Sequence, residues 1–141
     1  MSAMFLFKTS GATFASVIRN QKHAFRGKPA KWDRDEMVLV SKNWADCRPG
    51  ERQIQYVMRI VRIRPLRSGE AELYWPGNEG RWKYLVECDR TKTLRRPFNL
   101  AHALGPDEGK YRPIMTFGRL GLDDERRVVA FVRQNDAAAL E

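Results

Sequence analysis

The sequence predicts an α+β domain: a small, strongly curved mixed β-sheet or barrel with short helices packed outside it. Three observations predict this class. Runs rich in β-branched and aromatic residues are interleaved with short helical patterns. The connections are too short and irregular for repeated βαβ crossovers. The length of 141 residues fits one domain, assigned to residues 1–136, with a core large enough to fold by itself. The closing Ala137-Ala138-Ala139-Leu140-Glu141 reads as a cloning scar ahead of a purification tag and is set outside the domain.

Met4 to Thr9, which opens on the apolar run Met4 to Phe7 and is ended by Ser10-Gly11, reads as a buried strand. Thr13 to Asn20 places Phe14, Val17 and Ile18 on one helical face. Gln21 to Lys31 is basic and poor in apolar residues, with Gly27 and Pro29 as punctuation, and is expected to be a loop of functional length. Glu36 to Ser41 predicts a second strand, and Lys42 to Arg52, with Pro49-Gly50, a turn. Gln53 to Arg64 predicts a third strand, one face buried and the other basic through Arg59, Arg62 and Arg64. Between Pro65 and Gly80 the cluster Leu73-Tyr74-Trp75-Pro76-Gly77-Asn78 is expected in a loop, and Arg81 to Asp89 resumes as a strand. Leu100 to Leu104 predicts a short helix stopped by Gly105-Pro106, and Tyr111 to Leu120 an irregular or extended stretch. Asp123 or Asp124 is expected to cap a last helix that turns Val128, Phe131 and Val132 to the core.

Lysine and arginine total 26 against 17 acidic residues, a net charge of +9, which favours encounter with a polyanion. Cys47 and Cys88 have no Cys-x-x-Cys spacing, and with only His23 and His102 they do not supply the four spaced ligands of a structural zinc site. No cofactor is called for, and the thiols fit buried positions in a reducing compartment. Met4 to Phe7 is too short for a membrane span and lacks the parts of a signal peptide, so the expectation is a soluble, cytoplasmic protein.

The order of parts resembles the EVE family and its relatives, the YTH domains. Lys8-Thr9-Ser10 is similar to their first strand with its Lys-Ser ending, and Met37 to Asn43 followed by Gln55 to Ile60 to their strand, Ser-x-Asn and returning strand. Trp75-Pro76-Gly77, Gly80-Arg81-Trp82-Lys83-Tyr84 and Arg96-Pro97-Phe98 resemble the tryptophan loop, the next strand and its proline-marked exit. The tryptophan that many members carry between first helix and second strand has no clear counterpart, and Phe25, or else Trp32, takes its place. The resemblance implies a PUA-like fold that reads one base: modified cytosine in DNA for EVE proteins, methylated adenine in RNA for YTH domains.

A base taken out of a duplex loses stacking and pairing at a cost of a few kcal/mol, so its host must return both. Aromatic faces supply about 1–3 kcal/mol per stacked base. Of four tryptophans, Trp75 in its loop is the expected wall, Trp82 is core or pocket floor, and Trp44 either rims the pocket or covers the sheet edge. Ser10, Ser41 and Asn43 fall at strand ends, where side chains can meet a base edge; turn chemistry explains such residues equally well, and the family pattern favours Ser10 and Asn43. A methyl group is sensed by fit to an apolar wall, worth on the order of 1 kcal/mol, so the implied selectivity is partial.

Lys22, Arg26, Lys28 and Lys31, in a stretch from Arg19 with no acidic residue, together with Arg95 and Arg96, are the expected phosphate contacts. The expected activity is binding by a monomer to nucleic acid, DNA ahead of RNA, as a free-standing reader or as the specificity module of a modification-dependent restriction system with a nuclease or motor partner. A PUA-like ribonuclease is the catalytic alternative, with Lys8 and Arg119 as conceivable cations. The sequence offers it no His pair, acidic cluster or Gly-rich phosphate loop. A protein-interaction or small-molecule module built on the aromatic loop is the other rival.

Overall fold

A computed structural model describes residues 4–27, 31–43, 48, 52–114 and 116–141. Among these residues six strands and four α-helices follow one another as β1 (Met4–Thr9), α1 (Phe14–Asn20), β2 (Lys22–Phe25), β3 (Met37–Lys42), β4 (Gln53–Pro65), α2 (Glu70–Tyr74), β5 (Tyr84–Asn99), α3 (Leu100–Leu104), β6 (Phe117–Arg119) and α4 (Leu122–Asp136). Two 3₁₀ segments, Gly105–Tyr111 and Ala137–Leu140, follow α3 and α4. The strands form one mixed sheet in the order β2-β5-β4-β3-β1-β6, in which, among the described residues, only the β1 and β3 pair is parallel.

Every residue of β1 is buried because both faces of the sheet are covered there. Met4 and Leu6 pack with Leu100, Leu104, Val128 and Val132 of α3 and α4. Phe5 and Phe7 pack on the other face with Val17 of α1, Val38, Val40, Met58 and Trp75. The long partners β4 and β5 carry register shifts between Ile54 and Tyr56, Val57 and Arg59, and Ile60 and Arg62. Such irregularities increase local twist, and they curl the sheet into a half-barrel whose end strands β2 and β6 approach each other.

Several expectations are corrected. The stretch expected as a loop from Gln21 contains β2, antiparallel to β5 with Lys22 opposite Glu87. Gln21, at φ 55°, turns α1 directly into it. The four-residue strand buries His23, Ala24 and Phe25 in a row, so no alternation marks it in sequence. The segment after Pro65 forms α2, and β5 starts at Tyr84 and runs on to Asn99 rather than stopping at Asp89. Gly121, and neither aspartate, occupies the N-cap of α4. Asp124 instead accepts a 2.5 Å hydrogen bond from Tyr111 Oη, and its buried carboxyl is held below its usual range: burial opposes this, but the bonds from Tyr111 and Lys110 outweigh it. The basic face of β4 is largely neutralised: Arg64 pairs with Glu70 at 2.6 Å and Glu87 at 3.0 Å, and Arg62 with Glu87.

Residues 137–141 pack on the domain. Ala139 is buried, and Arg59 Nη2 and Lys92 Nζ donate to the carbonyls of Leu140 and Ala138, each at 3.0 Å. Cys88 is a buried free thiol whose pKa burial pushes up, whereas Cys47 lies outside the described residues. Among the described residues, no helix is long and apolar enough to cross a membrane.

Candidate functional site

A cleft of about 740 Å³ opens where the two ends of the sheet come together. Side chains span the gap between β2 and β6. His23 Nε2 lies 3.1 Å from the Thr116 carbonyl, and Phe25 stacks on Phe117 with ring centres 5.0 Å apart and planes 14° apart. Phe7 supports both from beneath the sheet edge, 4.9 Å from the His23 ring and 5.1 Å from Phe117.

One side of the cleft is polar. Thr9 and Ser10 lie where β1 ends, and the Ser10 carbonyl accepts from the Thr13 and Phe14 amides at 3.1 and 2.9 Å, which turns the chain into α1. That turn gathers three hydroxyls: Thr13 Oγ1 is 2.6 Å from Thr9 Oγ1 and 2.9 Å from Ser10 Oγ. Asn43 follows β3 and is held beside them by its backbone amide, which donates to the Thr9 carbonyl at 2.7 Å. All four residues line the cleft.

The rest of the lining is largely aromatic and cationic. Trp82, half-buried, stands edge-on to Trp75 at 5.4 Å and 77°, with the Arg81 guanidinium 4.9 Å over its ring. Arg26 Nε donates to the Arg81 carbonyl at 3.0 Å, tying the exit of β2 to the segment before β5. Lys8 also lines the cleft, although only 1% of it is exposed; its ammonium donates at 2.6 Å to the Tyr111 carbonyl, at the end of a 3₁₀ helix where the helix dipole favours a cation.

The electrostatics of the cleft suit an electron-rich ligand. Arg26 and Arg81 have no acidic partner among the described residues, and no described aspartate or glutamate lines the cleft. Burial lowers the pKa of His23 to about 4, against a smaller raising effect from its bond to Thr116, so the ring is neutral at pH 7. Among the described residues, no group of three or more His, Cys, Asp or Glu side chains is placed to hold a metal ion.

Of the residues expected at a base pocket, Ser10, Phe25, Asn43 and Trp82 come together in the lining. Trp75 does not: at 3% exposure it is core, its amide closing α2 onto the Ala71 carbonyl at 2.7 Å and its ring buttressing Trp82. Ser41 is fully buried, donating to the Lys42 carbonyl, outside the lining. Trp32 packs on the core cluster of the same face and Trp44 lies outside the described residues. Of the expected phosphate contacts among the described residues, only Arg26 lines the cleft. Lys22 sits 5.0 Å over the Tyr74 ring, Lys31 offers its carbonyl to Arg119, and Lys28 lies outside the described residues. Arg95 and Arg96 are on β5 beside the end of α4, where the Arg95 amide donates to Asp136. Arg119 is engaged by Glu36 at 3.4 Å and covers the Phe5 ring. Thr9, Thr13, His23, Arg81 and Phe117 join the lining without having been singled out, since the contacts that unite them span most of the chain and leave no local pattern.

Neither a protein-family model nor a curated protein sequence matches the chain. Solved structures do. An ASCH protein from Zymomonas mobilis matches with a TM-score of 0.58 at 12% identity, over 90% of this chain and 94% of that one. Human THYN1, solved in complex with 5-methylcytosine-containing DNA, matches at 0.57 and 14% identity, over 92% of this chain and 97% of that one. The YTH domain of Zygosaccharomyces rouxii MRB1, solved in complex with N6-methyladenosine RNA, matches at 0.53 and 10% identity, over 92% of this chain and 86% of that one. At such identities the likeness is one of architecture, and the curled six-stranded sheet with its four short helices is a PUA-like fold.

Proposed function

We propose that this protein is a nucleic-acid reader that holds one flipped or unpaired modified base, modified cytosine in DNA first, in the cleft between β2, β6 and the end of β1. The observation that carries the reading is the division of that cleft. Trp82, Phe25 and Phe117 give the lining its aromatic rings, and Thr9, Ser10, Thr13 and Asn43 give it a set of donors and acceptors. Stacking plus polar contact to the base edge is what an extruded base needs in return for its lost pairing. The volume lies within the range of about 300–1,000 Å³ typical of small-ligand pockets. THYN1 and the YTH domain, which share the fold, were solved with a methylated base in their nucleic acid, which favours this class of ligand here too.

Arg26 and Arg81 at the rim would take the flanking phosphates, which set affinity and its salt dependence without reading sequence. The aromatic and apolar lining would sense the methyl group, at about 0.8 kcal/mol per buried carbon. Binding is favoured over catalysis by a described lining that holds no carboxylate and by a histidine whose pKa of about 4 makes it a poor base at neutral pH. The same binding step would give a modification-dependent restriction system its specificity, with cleavage supplied by a partner.

Matched DNA and RNA oligonucleotides carrying cytosine, 5-methylcytosine, 5-hydroxymethylcytosine, adenine or N6-methyladenine test the reading by direct titration. At least one modified base is expected to bind about five- to tenfold tighter than its parent, with the preference lost in Trp82→Ala and Asn43→Ala. Equal binding of every parent and modified pair overturns it, and a preference confined to RNA transfers the reading to a YTH-like role.

A further inference from the structure

His23 is 5% exposed and lines the cleft from β2. Its Nε2 faces the Thr116 carbonyl at 3.1 Å, and a carbonyl can only accept, so Nε2 carries the ring proton. With the ring neutral, Nδ1 is left as a lone-pair acceptor, and no described residue donates to it. The other polar side chains of the described lining are of two kinds. Hydroxyls and the Asn43 amide can donate or accept, while Lys8, Arg26, Arg81 and the Trp82 indole only donate. His23 is thus the one side chain in the described lining that offers a ligand an acceptor and nothing else.

An acceptor that cannot invert imposes a choice on the base. Cytosine and adenine carry exocyclic amines that donate, whereas thymine and uracil carry at the same ring position a carbonyl oxygen that accepts. Resting on the reading of the cleft as a base pocket, we infer that His23 Nδ1 accepts a hydrogen bond from the exocyclic amine of the captured base, making His23 the residue that admits amino-bearing bases and rejects keto pyrimidines. The fixed tautomer matters here. The Thr116 carbonyl also accepts from the Lys8 amide at 2.9 Å, so the group that orients His23 is itself held by β1.

5-Methylcytosine and thymine give the test, since they share ring and methyl group and differ at position 4, amine against carbonyl, with thymine also carrying a proton on N3. Duplexes are made identical except for one position opposite an abasic site, holding 5-methylcytosine, thymine or no base. The wild-type protein is expected to bind 5-methylcytosine at least about tenfold tighter than thymine, the penalty for setting two acceptors face to face in a buried site. His23→Phe keeps a ring against Phe7 and should bring the ratio to within about twofold. His23→Gln, whose amide can donate to Thr116 and still present an oxygen, should keep most of it. A purely structural role would lower affinity for both duplexes and leave the ratio intact. Equal wild-type binding of the two bases overturns the inference, as does a full preference in His23→Phe. Binding that is the same with no base at the position removes the base-pocket reading and this inference with it.

Discussion

Trp75 and Trp82 touch edge to face, yet their substitution should have opposite consequences. Trp75 is 3% exposed, so Trp75→Ala opens a cavity in the core and is expected to cost about 3–5 kcal/mol of stability by urea denaturation. Trp82→Ala should cost less stability and remove about 1–3 kcal/mol of base stacking, seen as weakened binding of the preferred oligonucleotide. His23 carries a pH signature. Unfolded, its ring takes a proton near pH 6.5, whereas burial in the native state holds it off until about pH 4. Below 6.5 the unfolded chain therefore binds more protons, and stability falls with pH until the native ring also protonates near 4, on the order of 3 kcal/mol in all. Subtracting the His23→Phe profile from the wild-type profile should isolate that fall; a flat difference between pH 7 and 4 contradicts the account. At this scale the sequence was legible where a residue ends a strand, as at Ser10 and Asn43. Which way a tryptophan ring turns was not legible, because Trp75 beside Pro76-Gly77 is buried among Phe5, Phe7 and Val17, partners remote in sequence.

Closure of β2 against β6 is the element on which the cleft depends, and Gly118 is its tightest point. A Cβ there would meet Ile114 Cδ1 at 2.3 Å and Cγ1 at 2.8 Å, and Ile114 lines the cleft. Gly118→Ala is expected to cost about 1–3 kcal/mol and to displace Ile114, weakening base binding more than Gly121→Ala, whose Cβ meets nothing nearer than 3.7 Å. On the other side, α2 is pinned by Arg64, whose bonds hold the Glu70 carboxyl down at about 2. Arg64→Met leaves Glu70 and Glu87 without that partner and should loosen α2 and with it Trp75 and Trp82, a loss readable by hydrogen exchange in residues 70–82. β1, β3, β4 and α4 were legible because long apolar runs or a helical face announce them. β2 and β6, with four and three residues, are specified by distant partners and carry no period of their own.

At the scale of the whole molecule, the charge of +9 is unevenly usable. Arg62, Arg64, Arg90, Arg112, Arg119 and Arg127 are paired with carboxylates, while Arg26 and Arg81 stand at the cleft without one among the described residues. Replacing either by Gln should lower the slope of log affinity against log salt by about 0.7–0.9, while Arg96→Gln, beside the end of α4, leaves it unchanged. The net charge announced a polyanion, but which cations remain available depends on pairings such as Arg64 with Glu70 and Glu87 that only the fold creates. The most direct measurement is an NMR titration of the labelled protein with a short oligonucleotide carrying one unpaired 5-methylcytosine. The account predicts that the largest shifts fall on Ser10, Thr13, His23, Asn43 and Trp82; shifts centred instead on Arg95, Arg96 and the end of α4, with the cleft unmoved, would contradict it.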